Sequence, residues 1–228
     1  MIAKLLKRLL LQNAMWTAGL GALLFWPVGT LHWPAAWLYL ATTAALGLGA
    51  GLWLARVDPG LLAERMKPMI QKGQPRADKI FILVFGLAAL LWFIVIGLDR
   101  RRHWSDMPMA LAVLGYVLLL AATALMLRVV RENSFAAPVV KVQAERGHRV
   151  IDTGPYAFVR HPMYSAVVLY FAAVALLLGS WWGLILSPVF FVLIAVRAGV
   201  EERALASGLP GYADYLARVR YRLLPGVW

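Results

Sequence analysis

The sequence predicts an all-α integral membrane protein, a polytopic bundle of about six transmembrane helices. Of its 228 residues, 62% are hydrophobic and only 15% are charged, whereas soluble domains are about 45–50% apolar and about 25% charged. The apolar residues are grouped in windows long enough to cross a bilayer, and the basic residues are distributed unequally between the loops. This composition excludes a water-soluble globule and a disordered chain.

Six windows approach the roughly 20 mostly apolar residues that a membrane-spanning helix needs. They cover residues 9–28, 35–55, 80–98, 107–127, 163–178 and 181–196. The last two are short and meet at Gly179 and Ser180, so the sequence predicts a tight helical hairpin there. With a rise of about 1.5 Å per residue, each arm of the hairpin only just spans the hydrocarbon.

The basic residues predict the orientation of the bundle. Twenty of the 23 lysines and arginines lie before the first window, between the second and third, between the fourth and fifth, or after the sixth. Because cytoplasmic loops carry the excess of positive charge, we expect both termini in the cytoplasm. The exception is the group of three arginines on the opposite side of the membrane, Arg100, Arg101 and Arg102. An arrangement with five spans would remove this exception. The compactness of the chain favours a bacterial inner-membrane protein.

We expect a single membrane domain over residues 1–228, because no linker, repeat or low-complexity tract interrupts it. Residues 1–127 supply the first four windows. Residues 128–228 hold two long polar segments, which the six-span topology puts on the cytoplasmic side. Since the opposite loops are short, any chemistry is expected where these two segments meet.

The first candidate site is the turn that precedes the fifth window. Gly154 and Pro155 signal a turn, and Pro162 suits the first position of a helix. The polar and aromatic residues around this turn are Tyr156, Arg160, His161 and Tyr164. An anchor at the membrane interface is the alternative, because tyrosine and arginine are common at headgroup depth, but an anchor does not explain the histidine.

The second candidate site lies at the cytoplasmic end of the sixth window. Arg197 and Glu201 are four residues apart, so they share a helix face and can meet, and Glu202 adds a second carboxylate. Ionisable groups near the hydrocarbon boundary usually face the bundle interior or a wet cavity. An arginine–glutamate pair that snorkels to the interface has the same spacing.

The third candidate is the stretch over residues 209–225. Tyr212, Tyr215 and Val219 recur at helical spacing, with basic residues on another face. By itself this pattern is typical of a basic amphipathic helix that lies on the membrane surface.

Other chemistries find no support in the sequence. No glycine-rich nucleotide-binding loop occurs. The four histidines, His32, His103, His148 and His161, lack metal-ligand spacing, and cysteine is absent, so no metal site is expected. We interpret His148 as a solvated loop residue. No nucleic-acid partner is expected, because a net charge of +12 fits basic loops at an anionic membrane face.

Together these motifs resemble the isoprenylcysteine carboxyl methyltransferase family, which belongs to a wider group that includes phospholipid N-methyltransferases. The shared pattern is Gly154-Pro-Tyr, Val159-Arg-His-Pro-Met-Tyr164, a short hydrophobic hairpin, Arg197-x-x-x-Glu-Glu, Tyr212-x-x-Tyr215 and a late proline. It covers residues 128–228, and the order and spacing of the motifs make it specific. Departures from the family pattern at residues 209–211 and 219–220 concern the substrate rather than the cofactor.

The resemblance implies a membrane methyltransferase that uses S-adenosylmethionine, bound at the cytoplasmic end of the hairpin. The acceptor would be a carboxylate or an amine of a lipophilic, membrane-embedded molecule. For a bacterial chain, a lipid, a quinone-like molecule or a small lipophilic acid or amine is favoured over a prenylated protein. Arg197 matches the arginine near the reacting groups. The implied cofactor-binding residues are Gly154, Pro155, Tyr156, Arg160, His161, Pro162, Tyr164, Glu201, Glu202, Tyr212 and Tyr215.

The residue types agree with methyl transfer from a sulfonium, which mainly requires that donor and acceptor are positioned. Carboxylates at Glu201 and Glu202 can bind the ammonium group or ribose hydroxyls of the donor, and tyrosine faces can receive its sulfonium. Arg197 can dock a carboxylate acceptor. An amine acceptor needs a base, for which His161 and Glu201 are the nearby catalytic candidates.

Two other functions stay open at this point. Membrane reductases of the sterol-reductase type have a similar Arg160-His161-Pro162 turn and use NADPH, but a pyrophosphate would prefer cations where Glu201 and Glu202 stand. A non-enzymatic scaffold or transporter subunit does not explain why the polar clusters gather at one corner. No charge inside the predicted helices lines a path across the bilayer, which also disfavours transport.

Overall fold

The computed structural model describes residues 2–228, and within them it contains nine α-helices and no β-strand. The helices are α1 (Ile2–Val28), α2 (Pro34–Val57), α3 (Pro59–Arg65), α4 (Arg76–Arg102), α5 (Met109–Glu132), α6 (Pro162–Leu177), α7 (Trp181–Leu186), α8 (Pro188–Gly208) and α9 (Tyr212–Arg218). The predicted all-α helical bundle is therefore confirmed.

The six apolar windows correspond to α1, α2, α4, α5, α6 and the run formed by α7 and α8. Five of these are long and apolar enough to cross a bilayer, with α7 and α8 counted as one stretch over Trp181–Gly208. The sixth, α6, has 16 residues and is about 24 Å long at 1.5 Å per residue. The helices extend beyond the windows because charged residues such as Arg76 and Arg102 continue a helix past its apolar part.

The connecting segments form two distinct ends of the bundle. At the polar end, Arg65 Nη1 donates to the carbonyl of Ala136 at 2.8 Å, and the amide of Arg160 donates to the carbonyl of Tyr221 at 2.9 Å. At the short-loop end, the amide of Trp181 donates to Ser105 Oγ at 2.9 Å. The six apolar helical segments therefore run alternately between the two ends, with α6 included.

The predicted hairpin between α6 and α7 is confirmed, and buried hydrogen bonds hold its tip. Gly179 has a φ of 74°, which glycine adopts without a steric penalty. Ser180 caps α7 by accepting from the amide of Gly183 at 2.9 Å. Its hydroxyl donates to Asp99 Oδ2, which also accepts from Ser105 Oγ at 2.7 Å. The tip is thereby tied to the end of α4.

An aromatic core holds α6 and α8 in register. Phe171 of α6 and Phe190 of α8 stack with ring centroids 3.5 Å apart. Trp92 of α4 lies edge-on to both rings, and its Nε1 donates to the carbonyl of Gly183 at 2.7 Å. Aromatic pairs of this kind add about 0.5–1.5 kcal/mol beyond their buried area. The packing brings the first turn of α6 beside the last turns of α8 at the polar end.

Candidate functional site

The centre of the site is His161, which is buried at the start of α6 between two carboxylates of α8. Its Nδ1 lies 3.5 Å from Glu201 Oε2, and its Nε2 lies 3.2 Å from Glu202 Oε1. Burial by itself lowers the pKa of His161, but the two carboxylates outweigh burial and raise that pKa above its ordinary value. The two carboxylates therefore favour the cationic form of the ring, in which both nitrogens carry a proton.

Glu202 is enclosed by cations and faces away from open space. Its Oε1 lies 2.8 Å from Arg160 Nε, a contact without the alignment of a hydrogen bond. Arg222 donates from Nε to both oxygens at 3.1 and 3.2 Å. The C-terminal segment is fixed in the same place, because the amide of His161 donates to the carbonyl of Arg222 at 2.9 Å. Glu202 therefore joins the start of α6, the end of α8 and the C-terminal segment.

Glu201, one residue earlier, opens into a cavity. Its side chain is 27% exposed, compared with 9% for Glu202. Tyr164 Oη donates to Oε2 of Glu201, and among residues 2–228 no donor contacts the other oxygen, Oε1. The cavity encloses about 730 Å³ of space between atoms, and part of that space is open to solvent.

Tyrosines form much of the cavity wall. Tyr156, Tyr164, Tyr212 and Tyr215 all line it. Tyr156 Oη accepts from Asn133 Nδ2 at 2.8 Å, and Tyr215 Oη donates to the carbonyl of Tyr156 at 2.9 Å. Burial raises the pKa values of Tyr156, Tyr212 and Tyr215, so these phenols stay neutral. The wall therefore presents aromatic faces around a single carboxylate.

The segment between α5 and α6 supplies a wall that the sequence did not identify. Phe135 and His148 line the cavity, and their rings stack with centroids 4.5 Å apart. His148 Nδ1 accepts from the amide of Gln143 at 3.2 Å, and burial lowers the pKa of His148, so this ring is neutral. His148 lies in the loop as expected, but it is half-buried and stacked on Phe135 in the cavity lining, so it is not a fully solvated residue.

The expected pair between Arg197 and Glu201 does not form. Arg197 Nε instead donates to Asp78 Oδ1 at 3.0 Å, and Arg197 Nη2 donates to the carbonyl of Pro138. Its guanidinium also lies over the ring of Phe81, 4.8 Å from the centroid. Asp78 is fully buried, so a complete tertiary ion pair replaces the local one. Arg197 does not line the cavity, but its guanidinium lies 5.5 Å from the ring centroid of Tyr164, which does. Its catalytic role stays a prediction.

The other implied residues divide into two sets. Those that line the cavity are Tyr156, Arg160, His161, Tyr164, Glu201, Tyr212 and Tyr215. Those that do not are Gly154, Pro155, Pro162 and Glu202. In the second set, Pro162 begins α6, and Gly154 has a φ of 57° and lies where a Cβ would collide with the Glu132 carboxylate. These residues shape the turn and the helix start and do not face the cavity.

The tyrosines of α9 are buried against the protein. Tyr212 and Tyr215 form a cluster with Leu209 and Val219, and their rings lie 5.7 Å apart. The helical spacing read from the sequence is confirmed for Tyr212 and Tyr215, whereas Val219 follows the end of α9. The alternative of a helix lying on the membrane surface is wrong for this face, because the face packs against the cavity wall.

One comparison with known proteins bears on the site. The profile of the phospholipid methyltransferase family matches residues 110–209. No curated protein matches the chain. The family match confirms the predicted resemblance and begins within α5, earlier than residue 128. It contains His161, Glu201 and Glu202, and it ends before Tyr212 and Tyr215.

Proposed function

We propose that this protein transfers a methyl group from S-adenosylmethionine to a lipophilic acceptor in the bilayer, because residues 110–209 match the profile of the phospholipid methyltransferase family. The acceptor group is a carboxylate or an amine. The observation that carries this proposal is the cavity of the polar end, where Glu201 offers an unpaired carboxylate oxygen between tyrosine faces.

The cavity fits the chemistry of the cofactor. When bound, S-adenosylmethionine supplies a methyl group on a positively charged sulfur, together with an ammonium group and ribose hydroxyls. Glu201 Oε1 is free to accept from the ammonium or a hydroxyl, and the faces of Tyr164 and Tyr212 suit a cation. The stacked rings of Phe135 and His148 offer an aromatic surface. Arg160 and Arg149 line the cavity and suit a carboxylate.

The protonation state of His161 limits its role. In the cationic form that the two carboxylates favour, both N–H groups face Glu201 and Glu202, so this form has no nitrogen free to accept a proton. We assign it to orienting Glu201 and to joining α6 to α8. An amine acceptor would give its proton to Glu201, the carboxylate with an accessible oxygen; in that case the same oxygen does not also bind the cofactor. A carboxylate acceptor needs no base.

A methyl-labelling experiment tests this proposal. Detergent-purified protein is incubated with S-adenosylmethionine labelled in the methyl group and with extracted membrane lipids, and label in the lipid phase is measured. We expect incorporation that Glu201→Gln lowers at least about tenfold, because a charge-assisted contact is lost. Glu145→Gln is the matched control, since Glu145 is exposed on the loop. Equal incorporation by both variants contradicts the role of Glu201.

Treatment of the labelled lipid with alkali separates the two acceptor groups. A methyl ester releases its label as volatile methanol, whereas an N-methyl group keeps it. Label that is lost identifies a carboxylate acceptor, and label that stays identifies an amine.

We also propose that the polar end, with the cavity and both termini, faces the cytoplasm of a bacterial cell. The distribution of the lysines and arginines supports this orientation. The chain has no cysteine, so single substitutions can be labelled without background. In intact cells, a membrane-impermeant maleimide is expected to label Arg102→Cys and to leave Arg220→Cys unlabelled. The reverse pattern contradicts the orientation.

A further inference from the structure

A second concave site lies on the side of the bundle, between α2 and α5. It encloses about 1580 Å³ of empty space, much of it open to the surroundings. Its walls are apolar over most of their length, with Leu46, Gly49 and Trp53 on α2 and Leu127 on α5. We call this feature the α2–α5 groove. Its lining over residues 45–57 of α2 extends about 20 Å at 1.5 Å per residue, more than half of a hydrocarbon core of about 30 Å.

The groove ends at an uncompensated pair of cations. Arg128 and Arg131 line its polar end, both are exposed, and within residues 2–228 neither contacts a carboxylate. The one acidic residue in the lining, Asp58, accepts from the amide of Leu61 at 2.8 Å and lies 3.8 Å from Arg146. The polar end of the groove is therefore positive, and the rest of its length is apolar.

The groove and the cavity lie on two sides of one turn of the chain. Ser134 lines the groove, whereas its neighbours Asn133 and Phe135 line the cavity. Asn133 also donates to Tyr156 Oη at 2.8 Å, so this turn is part of the cavity wall. A headgroup held at the polar end of the groove would lie beside that wall.

From this arrangement we infer that the α2–α5 groove is a binding site for one phospholipid molecule. An acyl chain lies along the apolar wall, and the phosphodiester is held by Arg128 and Arg131. Two arginines suit a phosphate because each can donate bidentately. The site differs from a flat lipid-facing surface because a concave apolar wall ends at two arginines that no carboxylate of residues 2–228 contacts. That the groove delivers an acceptor to the cavity rests on the proposed function, whereas the lipid site itself does not.

The structure offers matched variants for a test on the detergent-purified full chain. Gly49 lines the groove and is exposed, and a Cβ built there meets no atom within 4 Å, so Gly49→Leu is expected to occupy part of the groove. Gly86 on α4 is equally open and lies outside the groove, so Gly86→Leu is its control. The double variant Arg128→Gln/Arg131→Gln removes the two cations of the groove. Its control is Arg100→Gln/Arg102→Gln, which removes two exposed arginines at the short-loop end.

Native mass spectrometry measures retention of dioleoylphosphatidylglycerol and of dioleoylglycerol, which lacks the phosphate. We expect the wild type to bind the phospholipid at least about tenfold more tightly, and Arg128→Gln/Arg131→Gln to lose that preference. Gly49→Leu is expected to weaken both lipids. The inference is overturned if either variant behaves like its control.

Calorimetry with S-adenosylhomocysteine on the same samples keeps the two proposals apart. The groove variants are expected to retain the wild-type affinity, because the groove residues do not line the cavity. If the wild type binds no S-adenosylhomocysteine but its lipid binding depends on the groove, the proposed function fails and the lipid site stands. If the wild type binds S-adenosylhomocysteine but the groove variants retain lipid as well as their controls, the lipid site is wrong and the proposed function is unaffected.

Discussion

The adjacent glutamates of α8 are expected to respond very differently to the same substitution. Glu202 is 9% exposed and contacts three cations, Arg160 at 2.8 Å, His161 at 3.2 Å and Arg222 at 3.0 Å. Removal of one partner from a buried ion pair costs about 3–5 kcal/mol. Arg222 is 34% exposed and can be solvated, so we expect Glu202→Gln to lower the free energy of unfolding by about 3 kcal/mol, the low end of that range.

Glu201→Gln is expected to change binding rather than stability. The amide can still accept from Tyr164, and His161 keeps its contact with Glu202. Since Glu201 is 27% exposed, the loss of stability should be about 1 kcal/mol or less. Loss of a charge-assisted contact of about 1.5–3 kcal/mol weakens S-adenosylhomocysteine binding about 10- to 100-fold.

Thermal unfolding in detergent and calorimetric titration of S-adenosylhomocysteine, on both variants and on Glu145→Gln, check this division. We expect a large fall in melting temperature for Glu202→Gln and a small change for Glu201→Gln. The affinity for S-adenosylhomocysteine should fall more for Glu201→Gln than for Glu202→Gln. Equal effects of the two substitutions on both measurements would refute the assignment of Glu202 to structure and Glu201 to the cavity.

Three further predictions follow from buried contacts. Asp78→Ala leaves Arg197 buried without its partner and should lower the free energy of unfolding by about 3–5 kcal/mol, as measured by chemical denaturation; an unchanged midpoint would contradict this ion pair. The pKa of His161 is higher in the folded protein than in the unfolded chain, so protonation of this side chain stabilises the fold. The stabilisation is complete below the unfolded pKa of about 6.5 and is lost as pH rises through the folded pKa. From pH 6 upward, the melting temperature of the wild type should therefore fall more steeply with pH than that of His161→Gln. An equal pH dependence of the two melting temperatures would exclude a stabilising imidazolium. Gly115→Ala places a Cβ against the backbone of Leu177, so a clear drop in melting temperature is expected, and a neutral effect would contradict the close approach of α5 and α6.

The helices could be predicted because their apolar windows are local properties of the sequence. The hairpin could be predicted as well, since Gly179 and Ser180 leave no room for a loop. Helix ends were harder to place, because the windows register apolar residues whereas Arg76 and Arg102 continue α4 into the polar regions.

Parts of the site that depend on distant partners could not be predicted. The spacing of Arg197 and Glu201 indicates a local pair, but Asp78 is 119 residues from Arg197 in the chain and no periodicity marks it. His148 lies in an irregular segment, and its place in the cavity depends on stacking against Phe135. Sequence motifs identified the carboxylates and tyrosines of the site, whereas the fold determines which of them faces the cavity.

The central claim is that the cavity at Glu201 binds S-adenosylmethionine, and calorimetric binding of S-adenosylhomocysteine and of NADPH tests it most directly. The detergent-purified wild type, shown to be folded by its thermal unfolding transition, is titrated with each compound separately, and Glu201→Gln is titrated in parallel. We expect binding of S-adenosylhomocysteine alone, weakened in the variant. Binding of NADPH alone would contradict the claim and point to a reductase, and no binding of either compound to the folded protein would favour a scaffold.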